Sequence, residues 1–459
     1  MKKYIGDRKF YRMVLKVAIP IVIQFGISNF VNLLDNIMVG RLGTEQMTGV
    51  SVVNQLMFVF NLALFGAISG PGIFTAQYAG QKNDEGVRHT LRFKLILGFL
   101  LSVAGVLVFV FLKDTLIMLF LHDNNSGIDL ASTLASAKAY LFAMLFGLFP
   151  FAVSCCYAGT LRECGETNVP MIAGVAAILV NLCFNYILIF GHFGAPRLGV
   201  TGAAIATVIS RYVELLIVVI WTHTHKQRAG YGVGLYRHFT IPGALVRKII
   251  IMGTPLFLNE FLWSMGMSSL TQCYSMRGLD VVAAFNISNT IVNLFNVVLI
   301  SMGNVVSIII GQQLGAGDTE GVVDTDRKLI TLGVLTSAAM GGLLIALAPV
   351  FPMFYETTDD IRNLAVELMR IAALFMPIGS YLNCAYFTIR SGGKTFITFL
   401  FDSVYLWVLC FPIAFVISRF TTLSILPFYV IILSLDLVKL VIGAILLKKR
   451  IWINNIVSE

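Results

Sequence analysis

The residues best placed to do chemistry here are acidic side chains set inside long apolar runs. An ionised group in hydrocarbon is costly, so each needs a partner or a task. Arg211 and Glu214, Glu367 and Arg370, and Asp436 and Lys439 stand three residues apart. That spacing puts both members on one helix face, and each pair reads as a structural ion pair. Asp35, Glu260 and Asp402 have no such neighbour.

Asp35 is the strongest candidate. At about 100° per residue, Gln24, Ser28, Asn32 and Asp35 fall within an arc of about 80°, a polar stripe on an otherwise apolar helix. A carboxylate there can exchange a proton in a dry cavity or offer hard oxygen ligands to a monovalent cation. The alternative is a helix-capping Asp near the interface.

Glu260 follows Pro255 by five residues and adjoins Asn259. It reads as a contact for a cationic substrate or ion, against a plain buried hydrogen bond. Asp402, near Tyr405 and Trp407, reads as a second ion site or as a helix cap. Asn181 and Asn185 are one turn apart, so their amides share a face and could bond Asp35 or hold a proton-bearing water. Interhelical packing is the competing reading.

The elements that position these groups are long apolar segments. Hydrophobic residues make up 57% of the 459 and charged residues only 12%, about half the usual soluble share. Twelve segments, each of the roughly 20 residues that cross a bilayer, centre near residues 25, 62, 102, 144, 180, 210, 259, 295, 340, 375, 407 and 436. The expected fold is an all-α integral membrane bundle. With both termini cytoplasmic, about 23 of the 33 lysines and arginines fall on inside connections and about seven outside. The net charge of +9 therefore reflects topology in a cell membrane, not nucleic-acid binding. Seven cysteines include no CxxC pair and read as small core residues. The basic N-terminus leads into a polar-striped segment without a small-residue cleavage site, as expected of a retained helix.

The chain is also written twice. A shift of 235 positions lays Pro20 on Pro255, Asn54 on Asn289, Asn61 on Asn296, Gln77 on Gln312, Gly80 on Gly315 and Arg92 on Arg327. After a small slip in register, Arg162 corresponds to Arg390. Six segments per copy mean that both copies enter the membrane in the same direction. The expected organisation is one lobe at 1–222, a linker at 223–248 and a second lobe at 249–459. The recurring Asn pairs suggest packing common to both lobes. Gly-rich stretches at Gly66–Gly72 and Gly311–Gly317 are expected at helix ends.

A duplicated apolar bundle points to transport between its halves. Catalysis has little support. Gly393-Lys394-Thr395 ends like a phosphate loop, but Thr388 stands where the first glycine belongs, and no HExxH occurs. No metal site or cofactor is expected. A passive channel would not need unpaired acids.

The stretch from Pro20 to Asn83, with Leu34-Asp35-Asn36-Ile37-Met38-Val39-Gly40-Arg41-Leu42-Gly43, resembles the first signature of multidrug and toxic compound extrusion (MATE) transporters. Ser288 to Asp318 is similar to its second-lobe copy, and Asn181 to Gly191 to the family's fifth helix. The resemblance spans essentially the whole chain. It implies two six-helix lobes around a central cavity. It also implies exchange of a drug-like, often cationic molecule for protons or sodium ions, for which a two-lobed monomer is sufficient. Asp35 matches the first-helix acid, Pro20 the proline at which that helix bends, Asn181 an Asn of the cation site, and Glu260 the seventh-helix acid. Asn185 stands where proton-coupled members carry a second acid. Gly379 to Cys384 offers Ser380 and Asn383, but not the acid of the sodium-coupled branch. A related reading is a flippase for lipids or polysaccharide precursors, which usually has a more basic cavity.

Overall fold

The computed structural model describes residues 4–119, 130–355 and 357–458, without the side chains of residues 31–34, 36, 37 and 44. Twelve helices among the described residues are long and apolar enough to cross a membrane. They are α1 (Arg8–Gly40), α2 (Thr44–Gly80), α3 (Asp84–Met118), α4 (Leu130–Glu163), α5 (Asn168–Phe190), α6 (Val200–Thr224), α7 (Gly243–Ser275), α8 (Leu279–Gly315), α9 (Gly321–Leu347), α10 (Asp359–Ser391), α11 (Thr395–Phe420) and α12 (Ile425–Lys448). No strand occurs among the described residues. The expected all-α membrane fold is the one found.

The helices are apolar on every side because one face meets other helices and the other meets lipid. Phe111 and Phe142 are 78% and 64% exposed. Such exposure would be a liability in water and suits acyl chains. Lipid is as apolar as leucine, so helix association depends on close packing of small residues. Gly202 of α6 lies against the carbonyl of Leu188 on α5, where a methyl group would come within 2.6 Å of the oxygen. Gly341 of α9 meets the Ala373 carbonyl of α10 in the same way.

The chain divides into two compact units. One holds residues 23–75 and 83–247, the other residues 1–22, 76–82 and 248–459. In the first unit α4 and α5 both pack on α6, and α3 on α4. Gly191 closes α5 in the left-handed region at φ 78°, a conformation that costs glycine little. The segment after α6 is tied down by arginines of α3. Arg92 donates to the carbonyls of Leu235 and Gly234 at 2.8 Å each and Thr240 at 3.3 Å, and Arg88 reaches Tyr231 and Gly230.

In the second unit α10 packs on α8, α9 and α12. α11 is not a uniform α-helix: Leu400–Val404 and Leu406–Cys410 form π turns between α-helical ends. Each π turn is wider than an α turn and rotates the helix beyond it. Asp402 sits in the first of them. The expected placing of the first Gly-rich stretch at a helix end is corrected: Gly66, Gly70 and Gly72 lie inside α2, which runs on to Gly80. Pro20 lies within α1 without ending it.

Candidate functional site

α1, α5 and α6 bring the first site together. Asn185 Nδ2 donates to Asp35 Oδ1 at 2.7 Å. Asn181, one turn earlier on α5, presents one of its amide atoms to the two Asp35 oxygens at 3.0 and 3.1 Å. With nitrogen inward, Asn181 donates to an ionised carboxylate and accepts from Thr207 Oγ1 at 3.2 Å. With oxygen inward, it donates to Thr207 and accepts from Asn185 Nδ2 at 3.1 Å, and a proton on Asp35 is needed to bridge the two acceptors. Asn181 and Asn185 are 6% and 2% exposed, and Asn185 Oδ1 is buried without a partner among the described residues.

Asp35 and Asn185 line a cavity of about 310 Å³ within the same unit. Its wall carries Asn54, Asn61, Tyr140 and Thr207, with Arg211 also contributing. Tyr140 donates to Asn54 Oδ1 at 3.3 Å. Sequence reading missed this role for Asn54 and Asn61. Their recurrence in the second repeat looked like packing, yet in the first they face a void. Thr207 gave no signal because one hydroxyl is unremarkable in an apolar helix.

Other sequence candidates sit elsewhere. Gln24 accepts from Arg162 Nη1 at 3.3 Å and packs against Gly174, with no contact to Asp35. The side chain of Asn32 lies outside the described residues. Arg211 is 3.7 Å from Glu214 and stacks over Phe151, and Arg370 bonds Glu367 at 2.7 Å.

The second unit corrects two expectations. Asp402 is not unpaired: Lys439 Nζ donates to its Oδ1 at 2.7 Å and Asn259 Nδ2 to its Oδ2 at 3.2 Å. Lys439 therefore bridges α12 to α11, in place of the expected bond to Asp436 within its own helix. Asp402 lies in the first π turn of α11. Asn259, 2% exposed, also meets Tyr386 and Ser403. Glu260 accepts no protein hydrogen bond among the described residues; the charges close enough to act on it are Arg390 and Asp402. Sequence reading also passed over Lys94, 1% exposed, which pairs with Glu163 and donates to Thr160 at 3.2 Å. Its place near the start of α3 made it look like an ordinary interfacial charge.

Comparisons with known proteins bear on the family and the fold. The sequence profile of MatE matches residues 20–187 and 255–417, one match per repeat. The chain is 25% identical to the probable multidrug resistance protein YoeA of Bacillus subtilis, over 92% of this chain and 89% of that one. It is 27% identical to the probable multidrug resistance protein NorM of Thermotoga maritima, over 90% and 86%. A MATE protein in complex with MaL6 superposes with a TM-score of 0.85 at 20% identity, covering 98% of this chain and 97% of that one. A MOP superfamily transporter from Pyrococcus furiosus, described as having reversed polarity in its binding pocket, gives 0.83 at 21%, again over 98% and 97%. With a twelve-helix fold, a repeat and a family match over both halves, this chain belongs to the MATE family of membrane transporters.

Proposed function

We propose that the protein is a secondary active exporter of drug-like, cationic organic molecules. It runs by alternating access against an inward flow of protons or sodium ions. Residues 1–222 and 249–459 form its lobes and 223–248 the linker. It works as a monomer in the plasma membrane with both termini in the cytoplasm. The names of its relatives support multidrug export.

The observation that carries the reading is the Asp35 cluster. A carboxylate held by two buried amides, with an unpartnered amide oxygen beside it, borders a cavity in a membrane bundle. A proton on Asp35 removes the charge and turns the Asn181 amide, which changes the bond to Thr207 on α6. A sodium ion would instead take Asp35 and the open Asn185 oxygen as hard ligands. Either ion drives export only as far as its affinities for the two access states differ.

The test is efflux of a fluorescent organic cation from proteoliposomes under a proton gradient and, separately, a sodium gradient. Efflux driven by one ion and lost in Asp35→Asn, with the variant still inserted, supports antiport and identifies the ion. Full activity of Asp35→Asn would sink the role of Asp35. Arg211 in the cavity wall favours one second reading, a flippase for an anionic lipid-linked substrate. Inactivity toward every cation together with movement of such a lipid would select it.

A further inference from the structure

The repeat makes Arg92 and Arg327 equivalents, and they have parted company. Arg92 is buried, with its guanidinium on three carbonyls of the segment after α6. Arg327, at the same place on α9, is exposed, and its guanidinium makes no hydrogen bond or ion pair among the described residues. The position that a stretch of chain fills beside α3 is, beside α9, a cavity of about 750 Å³. It lies within the second unit, between α9, α10, α12, the residues following α12 and Tyr4 ahead of α1.

This cavity has a polarity along its length. Arg327 in the second turn of α9, Lys448 in the last turn of α12, and Arg450 just beyond give it a basic end. Farther along the same two helices its wall is Ile330, Val334 and Leu335, with Ala444. From Asp326 to Leu335 the wall extends about 13 Å at 1.5 Å per residue. Leu335 is 61% exposed, so the apolar end opens sideways toward lipid.

The basic end is not uniformly basic. Asp326 lines it too, only 3% exposed. Its Oδ1 accepts from Thr388 Oγ1 at 2.6 Å, and its other oxygen has no protein partner among the described residues. Asp326 lines the same cavity as Arg327, Lys448 and Arg450, so a ligand that brings a cation to the carboxylate and an anion to the three bases complements it. An apolar tail must run along the helices toward the bilayer centre.

We propose that this cavity binds a zwitterionic phospholipid bearing a primary ammonium. The phosphate sits among Arg327, Lys448 and Arg450, the ammonium donates to Asp326, and an acyl chain lies on Ile330, Val334 and Leu335. A trimethylammonium headgroup has no N–H to give Asp326, and a glycerol headgroup has no charge. The carboxylate therefore makes the site discriminate among lipids of equal chain length. The site is separate from the Asp35 cavity and does not depend on the export reading.

The experiment is native mass spectrometry of the purified, delipidated full chain. It is titrated with phosphatidylethanolamine, phosphatidylcholine and phosphatidylglycerol of identical chains, and with water-soluble glycerophosphoethanolamine. The expected result is one ethanolamine lipid bound roughly tenfold more tightly than the choline lipid, the size of a charge-assisted hydrogen bond. Asp326→Asn should erase that preference. Arg327→Gln with Lys448→Gln, both at exposed positions, should weaken all three lipids together. Equal affinity for ethanolamine and choline lipids in the unmodified protein overturns the proposal and needs no variant to fold. Binding of the soluble headgroup as tight as that of the lipid overturns the role given to the acyl groove.

Discussion

Gly80 and Gly315 are equivalents in the repeat, and each lies against the helix that carries the other. A methyl group on Gly80 would come 1.9 Å from the carbonyl oxygen of Gln312, and one on Gly315 the same distance from that of Gln77. Gln77 and Gln312 are themselves a repeat pair, so the ends of α2 and α8 cross about a local two-fold inside one unit. Only glycine lets two backbones approach so closely. Gln77 also fixes this crossing, donating to the carbonyls of Ser391 and Asn454 and accepting from Ile456 N.

Gly80→Ala and Gly315→Ala should therefore each destabilise the protein by about 1–3 kcal/mol, the usual cost of overpacking. Thermal retention of monodisperse protein in size-exclusion chromatography reads this directly. Because both sites strain one crossing, the double variant should lose less than the sum of the two. Unchanged thermal stability of both single variants would contradict so close a contact.

Asn185→Leu keeps the volume at α5 but removes the donor to Asp35. A hydrogen bond to a charged group is worth about 1.5–3 kcal/mol, so transport should fall roughly 10- to 100-fold. Insertion and yield should be unchanged. Thr207→Val removes the partner of Asn181 and should have a smaller effect in the same direction. Wild-type transport rates in both variants would show that the amides only pack.

Lys439→Met strands Asp402, whose side chain is only 19% exposed. Removing one partner of a buried pair costs about 3 kcal/mol at the lower end of its range. Adding Asp402→Asn to Lys439→Met should restore most of the lost stability, because position 402 then carries no uncompensated charge. Thermal unfolding of the three variants tests the pairing. If Asp436→Asn rescues Lys439→Met instead, the bond runs within α12 after all.

Arg92→Ala frees the carbonyls of Gly234, Leu235 and Thr240 at once. The segment after α6 should then open locally more often, and trypsin should cut at Lys226, Arg228 and Arg237 severalfold faster. Peptide mapping over a digestion time course gives the answer. Unaltered cleavage would mean that other contacts hold this segment.

The sequence by itself determined the membrane bundle, its twelve spans and the duplication, because the roughly 20-residue apolar length and the 235-residue repeat are one-dimensional signals. It also singled out Asp35 with Asn181 and Asn185, since an acid and two amides at helical spacing stand out in an apolar chain. Helical periodicity gives a side chain's direction about its own axis, but not which neighbour faces it. Hence Gln24 shared a stripe with Asp35 and meets Arg162 instead. Lys439 stood three residues from Asp436 and bonds Asp402, which sits in a π turn of α11. Asn54 and Asn61 became cavity wall, and Asp326 a buried acid in a cavity with open cations, only once several helices had packed around each. Those outcomes depend on the rotation and spacing of separate helices, quantities that tertiary packing alone decides.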